Sequence, residues 1–111
     1  MSHHEDIISL RDMLDHAREV NEIARGKKRK DLDRDRKLNL ALVRLLEVIG
    51  EAASRVSEAE RIRHPDIPWS EIISLRNRLI HGYDSVDFDI LWQIVIQDLP
   101  KLISELEKII P

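Results

Sequence analysis

The sequence predicts an all-α fold: an up-and-down bundle of four main helices with a kinked C-terminal helix, in one domain covering residues 1–111. Three observations lead there. Leu, Ile, Glu, Arg and Lys dominate the chain, against only 3 Gly and 4 Pro, which is a helix-forming composition. Apolar residues recur at spacings of three and four, and nowhere in the strict alternation that marks strands. Finally, 111 residues that are 42% apolar suffice for a single core, while 35% charged residues supply a solvated outside.

The first helix is expected from about Glu5 to Arg25, where Ile7, Leu10, Leu14, Ala17, Asn21 and Ala24 form one stripe. Gly26 then serves as its C-terminal cap. The following segment, "KKRKDLDRDRK" (Lys27–Lys37), has Leu32 as its one apolar residue. Eight basic residues face three Asp between Arg25 and Lys37. The plain reading is a solvated turn between helices. The functional reading is a phosphate-contacting patch at Lys27, Lys28, Arg29 and Lys30, a candidate RNA-binding element.

The second helix carries the widest apolar face: Leu38, Leu42, Leu45, Leu46, Ile49, Ala52, Ala53 and Val56. Its small residues, Gly50 and Ala52 to Ser54, let a neighbouring helix come close. Glu47 and Glu51 form an i,i+4 acidic pair there, solvated in most proteins but able to face a site. Pro65 and Pro68 in "RIRHPDIPWS" interrupt the helical pattern, and Asp66 or Ser70 can cap the next helix. That third helix is expected to run through Ile72, Ile73, Leu75, Leu79 and Ile80 and to stop near Gly82. Asp87 caps the last pattern, from Ile90 to Ile110, with a kink or break at Pro100.

Several function classes are excluded at this level. The chain has no cysteine, hence no disulfide, thiolate metal site or Cys nucleophile. Nothing near the N-terminus resembles a signal peptide, and no apolar run approaches a membrane span, which points to a cytosolic protein. A net charge of −3 gives no global attraction for nucleic acid. The five histidines form no metal-ligand pattern, so neither a metal nor another cofactor is expected.

The stretch "RNRLIHGY" (Arg76–Tyr83) is richer in chemistry than an amphipathic helix requires. On a helix continued to its end, Arg76 and Tyr83 share a face and Asn77 and His81 share the next. Arg76 and His81 diverge by about 140° unless the last turn unwinds. Arg is a permanent, forked phosphate ligand, and His moves protons near neutral pH. Together they can cleave RNA without a metal, His81 shifting a proton and Arg76 stabilising phosphoryl charge, with Asn77 in support. The bland alternative is a helix C-terminus whose dipole interacts with His81. Spacing alone favours that alternative.

Context reverses the balance. "IPWSEIISLRNRLIHGYDSVDFDILWQIVIQDLPKLISELE", "LLEVIGEAASRV" and "IISLRDML" resemble the HepT-like toxins of the HEPN superfamily, over nearly the whole chain. The most specific match is R-x4-H-x-Y at Arg76, His81 and Tyr83, with Asn77 as the polar residue after the Arg. The resemblance implies a HEPN-like helical homodimer with both Arg/His pairs in a shared cleft, and metal-independent endoribonuclease activity. It also implies a type VII-like toxin–antitoxin system whose MNT-type nucleotidyltransferase antitoxin silences the toxin by AMPylation of Tyr83. The segment Gly50–Ser54 and the apolar excess on the last two helices fit a dimer as well. The competing reading is a non-catalytic, nucleotide-binding or accessory subunit of a nucleotidyltransferase.

Overall fold

A computed structural model describes residues 3–81 and 85–111, His81 in its backbone alone. It is almost entirely helical. The elements are α1 (His3–Ala24), α2 (Asp31–Arg34), α3 (Arg36–Arg55), α4 (Glu58–Arg63), α5 (Trp69–Ile73), α6 (Leu75–Leu79), β1 (Ile80–His81), β2 (Ser85–Val86), α7 (Phe88–Gln93) and α8 (Leu99–Ile109). A π-helical turn, Ile94–Asp98, joins α7 to α8. No described helix is long and apolar enough to cross a membrane.

The helix ends follow local chemistry. Gly26 takes φ +75°, the left-handed conformation that closes α1. The Asp35 carboxylate accepts from the Leu38 N–H and starts α3. Asp87 caps α7 as expected, accepting from the N–H groups of Asp89 and Ile90. At Pro100 the missing N–H and the ring forbid an ordinary turn. The wider π turn just before it absorbs the defect, with the Leu99 N–H donating to the Ile94 carbonyl.

Leu14 of α1, Leu42, Leu46 and Ile49 of α3, Leu91 of α7 and Leu106 of α8 meet in the core. One first-helix expectation changes. Asn21 is exposed, and Val20 is buried in its place beside Met13. Leu32, set in an otherwise charged segment, is fully buried. The buried Asn39 side chain donates to its carbonyl at 3.0 Å, so this segment is a short helix plugged into the core and only partly a solvated turn.

The stretch after α3 departs further from expectation. Ser57 starts an unforeseen helix, α4, its hydroxyl accepting from the Glu60 N–H. Asp6 on α1 receives the Ser57 N–H at 2.8 Å and its hydroxyl at 2.7 Å. The start of α1 is thereby tied to the end of α3, so the two run antiparallel. Neither Asp66 nor Ser70 caps α5; Pro68 occupies that position without a side-chain bond. The Trp69 indole instead donates to the Arg61 and His64 carbonyls, closing α4.

The expected third helix is two five-residue pieces. It breaks at Ser74, whose hydroxyl donates back to the Ser70 carbonyl, a bond that competes with the helical ladder. Gly50 determines where these pieces lie. A Cβ at Gly50 would stand 2.9 Å from the Ile72 carbonyl oxygen and 3.4 Å from that of Ile73, so α5 rests directly on the α3 backbone. Ala52 and Ala53 are buried too. The small residues that suggested a partner's face are used within the chain.

Gly50→Ala should therefore destabilise the fold. Overpacking against backbone costs about 1–3 kcal/mol, against a helix-propensity gain of about 1 kcal/mol. A lower denaturation midpoint is expected; an unchanged or raised one would mean that α5 can retreat freely.

Asp6 makes stability pH-dependent. Burial pushes its carboxyl up, but the Ser57 hydrogen bonds and nearby positive charge, His3 included, outweigh burial and hold it below the ordinary aspartate range. A depressed folded pKa stabilises above the unfolded value, about 3.9, and that contribution fades as pH falls through the folded value. Asp6→Asn should be less stable than wild type at neutral pH, with the gap narrowing below about pH 4. A gap independent of pH would contradict this assignment.

Candidate active-site groove

With α5 held against Gly50, α6 lies alongside α3 and Arg76 comes opposite Glu47. The Arg76 Nε stands 3.5 Å from a Glu47 carboxylate oxygen. The Arg76 side chain is 70% exposed and that of Glu47 only 23%. A pair so open is worth little to stability, and it leaves most of the guanidinium facing water. Glu47, Glu51 and Ser54 of α3, with Ile73, Arg76 and Asn77 across from them, line a shallow groove of about 290 Å³.

The two arginines flanking Asn77 have separate duties. Arg78 reaches Asp98 of the π turn at 3.3 Å and is half-buried. It ties α6 to the C-terminal helix, while Arg76 stays on the open side with the exposed Asn77.

The α6 helix ends earlier than the sequence suggests. Ile80 has φ −103° and ψ 120°, already extended, and pairs with Val86 as His81 pairs with Ser85. The Asp87 N–H donates to the Leu79 carbonyl at 2.9 Å. The helical-wheel relations of Arg76 to Tyr83 and of Asn77 to His81 therefore do not apply, because the turn unwinds at Ile80 and not near Gly82. The His81 backbone leaves the helix on a two-residue antiparallel bridge. Gly82 and Tyr83, with the site role expected of the tyrosine, lie outside the described residues.

The basic segment divides as well. Arg29 donates to Asp89 at 2.7 Å and to Asp33 at 3.1 Å, and its guanidinium carbon lies 5.8 Å from the Phe88 ring centroid. The bonds to Asp89 and Asp33 hold its proton more firmly than usual. Arg29 is thus a clamp between the α2 turn and the start of α7. Lys27, Lys28 and Lys30 remain exposed without a carboxylate partner for their ammonium groups. Among the described residues no three His, Asp or Glu side chains gather as a metal site would require.

Sequence reasoning saw Glu47 only as half of an acidic pair. Its contact with Arg76 depends on the close approach at Gly50. The small-residue run was the available signal, and it pointed to a close neighbour without saying which.

Helices packed around a groove that holds an exposed arginine, with the His81 backbone on the short strand that follows, define a helical-bundle protein. The ribonuclease HepT-like family description matches residues 13–109, and the chain belongs to that family, within the HEPN superfamily. It is 37% identical over 98 residues to a Methanocaldococcus jannaschii protein named "Putative RNase", covering 88% of this chain and 90% of that one. It is 41% identical over 75 residues to "Probable ribonuclease HepT" of Thermococcus cleftensis, covering 68% of each. A further "Putative RNase", from Caldanaerobacter subterraneus, is 36% identical over 80 residues, covering 72% of this chain and 71% of the other. No solved structure matches at comparable significance.

Because Arg76 is open to solvent, Glu47→Gln should cost less than about 1 kcal/mol in chemical denaturation. A loss of several kcal/mol would make the pair a structural element and Arg76 a poor candidate for substrate.

Proposed function

We propose that the chain is a metal-independent endoribonuclease and the toxin half of a HEPN/MNT toxin–antitoxin pair. The observation that carries this is the family match across residues 13–109, which includes Arg76, Asn77, His81 and Tyr83. The exposed, loosely paired Arg76 supports it. Two copies form a symmetric dimer, and the Arg/His pairs share one cleft.

The chemistry follows from the residue types. A ribose 2′-oxygen attacks the adjacent phosphorus, the P–O5′ bond breaks, and a 2′,3′-cyclic phosphate and a 5′-hydroxyl result. His81 takes the 2′-OH proton or supplies one to the departing 5′-oxygen. Arg76 pairs with the non-bridging oxygens as charge builds on them, and Asn77 positions the phosphate. Glu47 holds the Arg76 side chain near the groove until a phosphate competes for it.

Tyr83 is the regulatory position. A nucleotidyltransferase partner moves AMP from ATP onto the phenol oxygen, with pyrophosphate leaving. The new phosphodiester and base obstruct the cleft and compete for Arg76.

His81→Ala and Arg76→Ala should each reduce RNA cleavage about a hundredfold or more, with the fold intact by circular dichroism. Cleavage should persist in EDTA and fail on DNA, which lacks the 2′-OH. Activity lost in EDTA and restored by a divalent metal would overturn the mechanism.

Co-expression with the neighbouring transferase should add AMP to the wild type, detected by mass, and none to Tyr83→Phe, which should escape silencing. Suppressed toxicity without added mass would mean that the antitoxin acts by binding alone.

A further inference from the structure

We infer that the exposed face of α3, with the α2 turn before it, is the track along which single-stranded RNA reaches Arg76. The inference rests on the ribonuclease reading above and adds to it where the strand lies.

At 100° per residue, Arg36, Lys37, Leu40, Arg44, Glu47 and Glu51 fall within about 100° of one another on α3. Arg36, Lys37, Leu40 and Arg44 are all exposed. This face begins at the α2 turn and reaches Arg76 where Glu47 meets it, a rise of about 16 Å along the helix. It thus connects the exposed cations of the α2 turn with Arg76 at the groove.

The cations on this path are available. Lys28, Lys30, Arg34, Arg36 and Lys37 are exposed, and none has a carboxylate partner for its side chain. Arg44 has only a 3.9 Å approach to Glu51, with both side chains mostly in water. Leu40, 51% exposed between Arg36 and Arg44, offers an apolar surface on which a base can lie.

Arg29 explains why the turn sits where it does. Its bonds to Asp89 and Asp33 fix α2 against the start of α7. Three residues before Asp89 is Val86, in the strand that pairs with Ile80 and His81. The free cations therefore lie at the end of the bundle that carries the His81 backbone.

The other side of the molecule discourages RNA. The groove between α5–α6 and α8 bears Asp66, Glu71, Asp98 and Glu105 against Arg78 and Lys101. A chain of net charge −3 thus keeps its open cations at the α2 end of the α3 face, ahead of Glu47 and Glu51, and has an excess of carboxylates in this groove.

The test measures binding of a labelled single-stranded RNA in a His81→Ala background, where the strand is not cut. Removing four cations together, Lys28→Gln, Lys30→Gln, Arg36→Gln and Lys37→Gln, should weaken binding about tenfold or more. The slope of log K against log salt should fall by roughly two to three, near 0.7 per lost contact. Arg44→Gln alone should weaken binding a few-fold. Lys101→Gln, in the acidic groove, with Lys108→Gln, whose ammonium pairs with Glu105 there at 3.1 Å, should leave it unchanged.

All these side chains are exposed, and Arg36 opens a helix where a cation is unfavourable. Circular dichroism should therefore find the variants folded. A loss in log K for the double variant about half that of the fourfold variant, in proportion to the charges removed, would reduce the effect to net charge and overturn the track. Unchanged binding in the fourfold variant would overturn it too, as would tight binding of poly-glutamate without binding of RNA, the mark of an acidic protein surface. Failure of the protein with native His81 to cleave RNA would count against the ribonuclease reading separately, while the binding arms still judge the track.

Discussion

The close approach of α5 to the α3 backbone at Gly50 governs the functional half of this molecule. With no Cβ there, the Ile72 carbonyl reaches within 2.9 Å of where that atom would stand. The helix pieces that follow inherit their placement from this contact. Arg76 comes to Glu47 across the groove, and Arg78 turns the other way to Asp98. A side chain at position 50 would push α5 outward and carry both arginines with it.

Around that contact the chain separates cations that fasten from cations that remain open. Arg29 and Arg78 each join two distant segments, through Asp89 and Asp98 respectively. Arg76 holds its carboxylate loosely, and the lysines of the α2 turn hold none. Exposed ion pairs contribute little to folding, so the open cations can meet an anionic ligand without unfolding their surroundings. The polar groups that do support the fold are elsewhere: Asp6 with Ser57, Asn39 with Leu32, and Trp69 with the last carbonyls of α4.

Much of this was legible in the sequence. The periodic stripes of α1, α3 and the C-terminal helix, the Gly26 and Asp87 caps and the disturbance at Pro100 all rest on interactions within a few residues, and all are found. What pattern reading missed depends on distant neighbours. Leu32 looks isolated in a charged run, yet the core beneath it takes it in. The third helix breaks at Ser74, where the Ser70 carbonyl accepts both the Ser74 N–H and its hydroxyl, and residue type alone does not announce that arrangement. The early end of α6 follows from pairing with Val86, which two-residue strands do not announce. At the candidate site, the motif singled out Arg76, Asn77 and His81, and the fold supplies Glu47 as the partner of Arg76. Tyr83 and the His81 side chain lie outside the described residues, so their roles remain with the family resemblance.

On the proposed mechanism, Arg76 and His81 cleave RNA through the ribose 2′-oxygen. The most direct measurement places a single 2′-deoxynucleotide on the 5′ side of a mapped cleavage position in an otherwise unmodified RNA, incubated with purified protein in EDTA. Cutting should stop at that linkage alone, and the unmodified strand should yield a 2′,3′-cyclic phosphate and a 5′-hydroxyl. Continued cutting at the deoxy linkage, with a 5′-phosphate on the product, would contradict it.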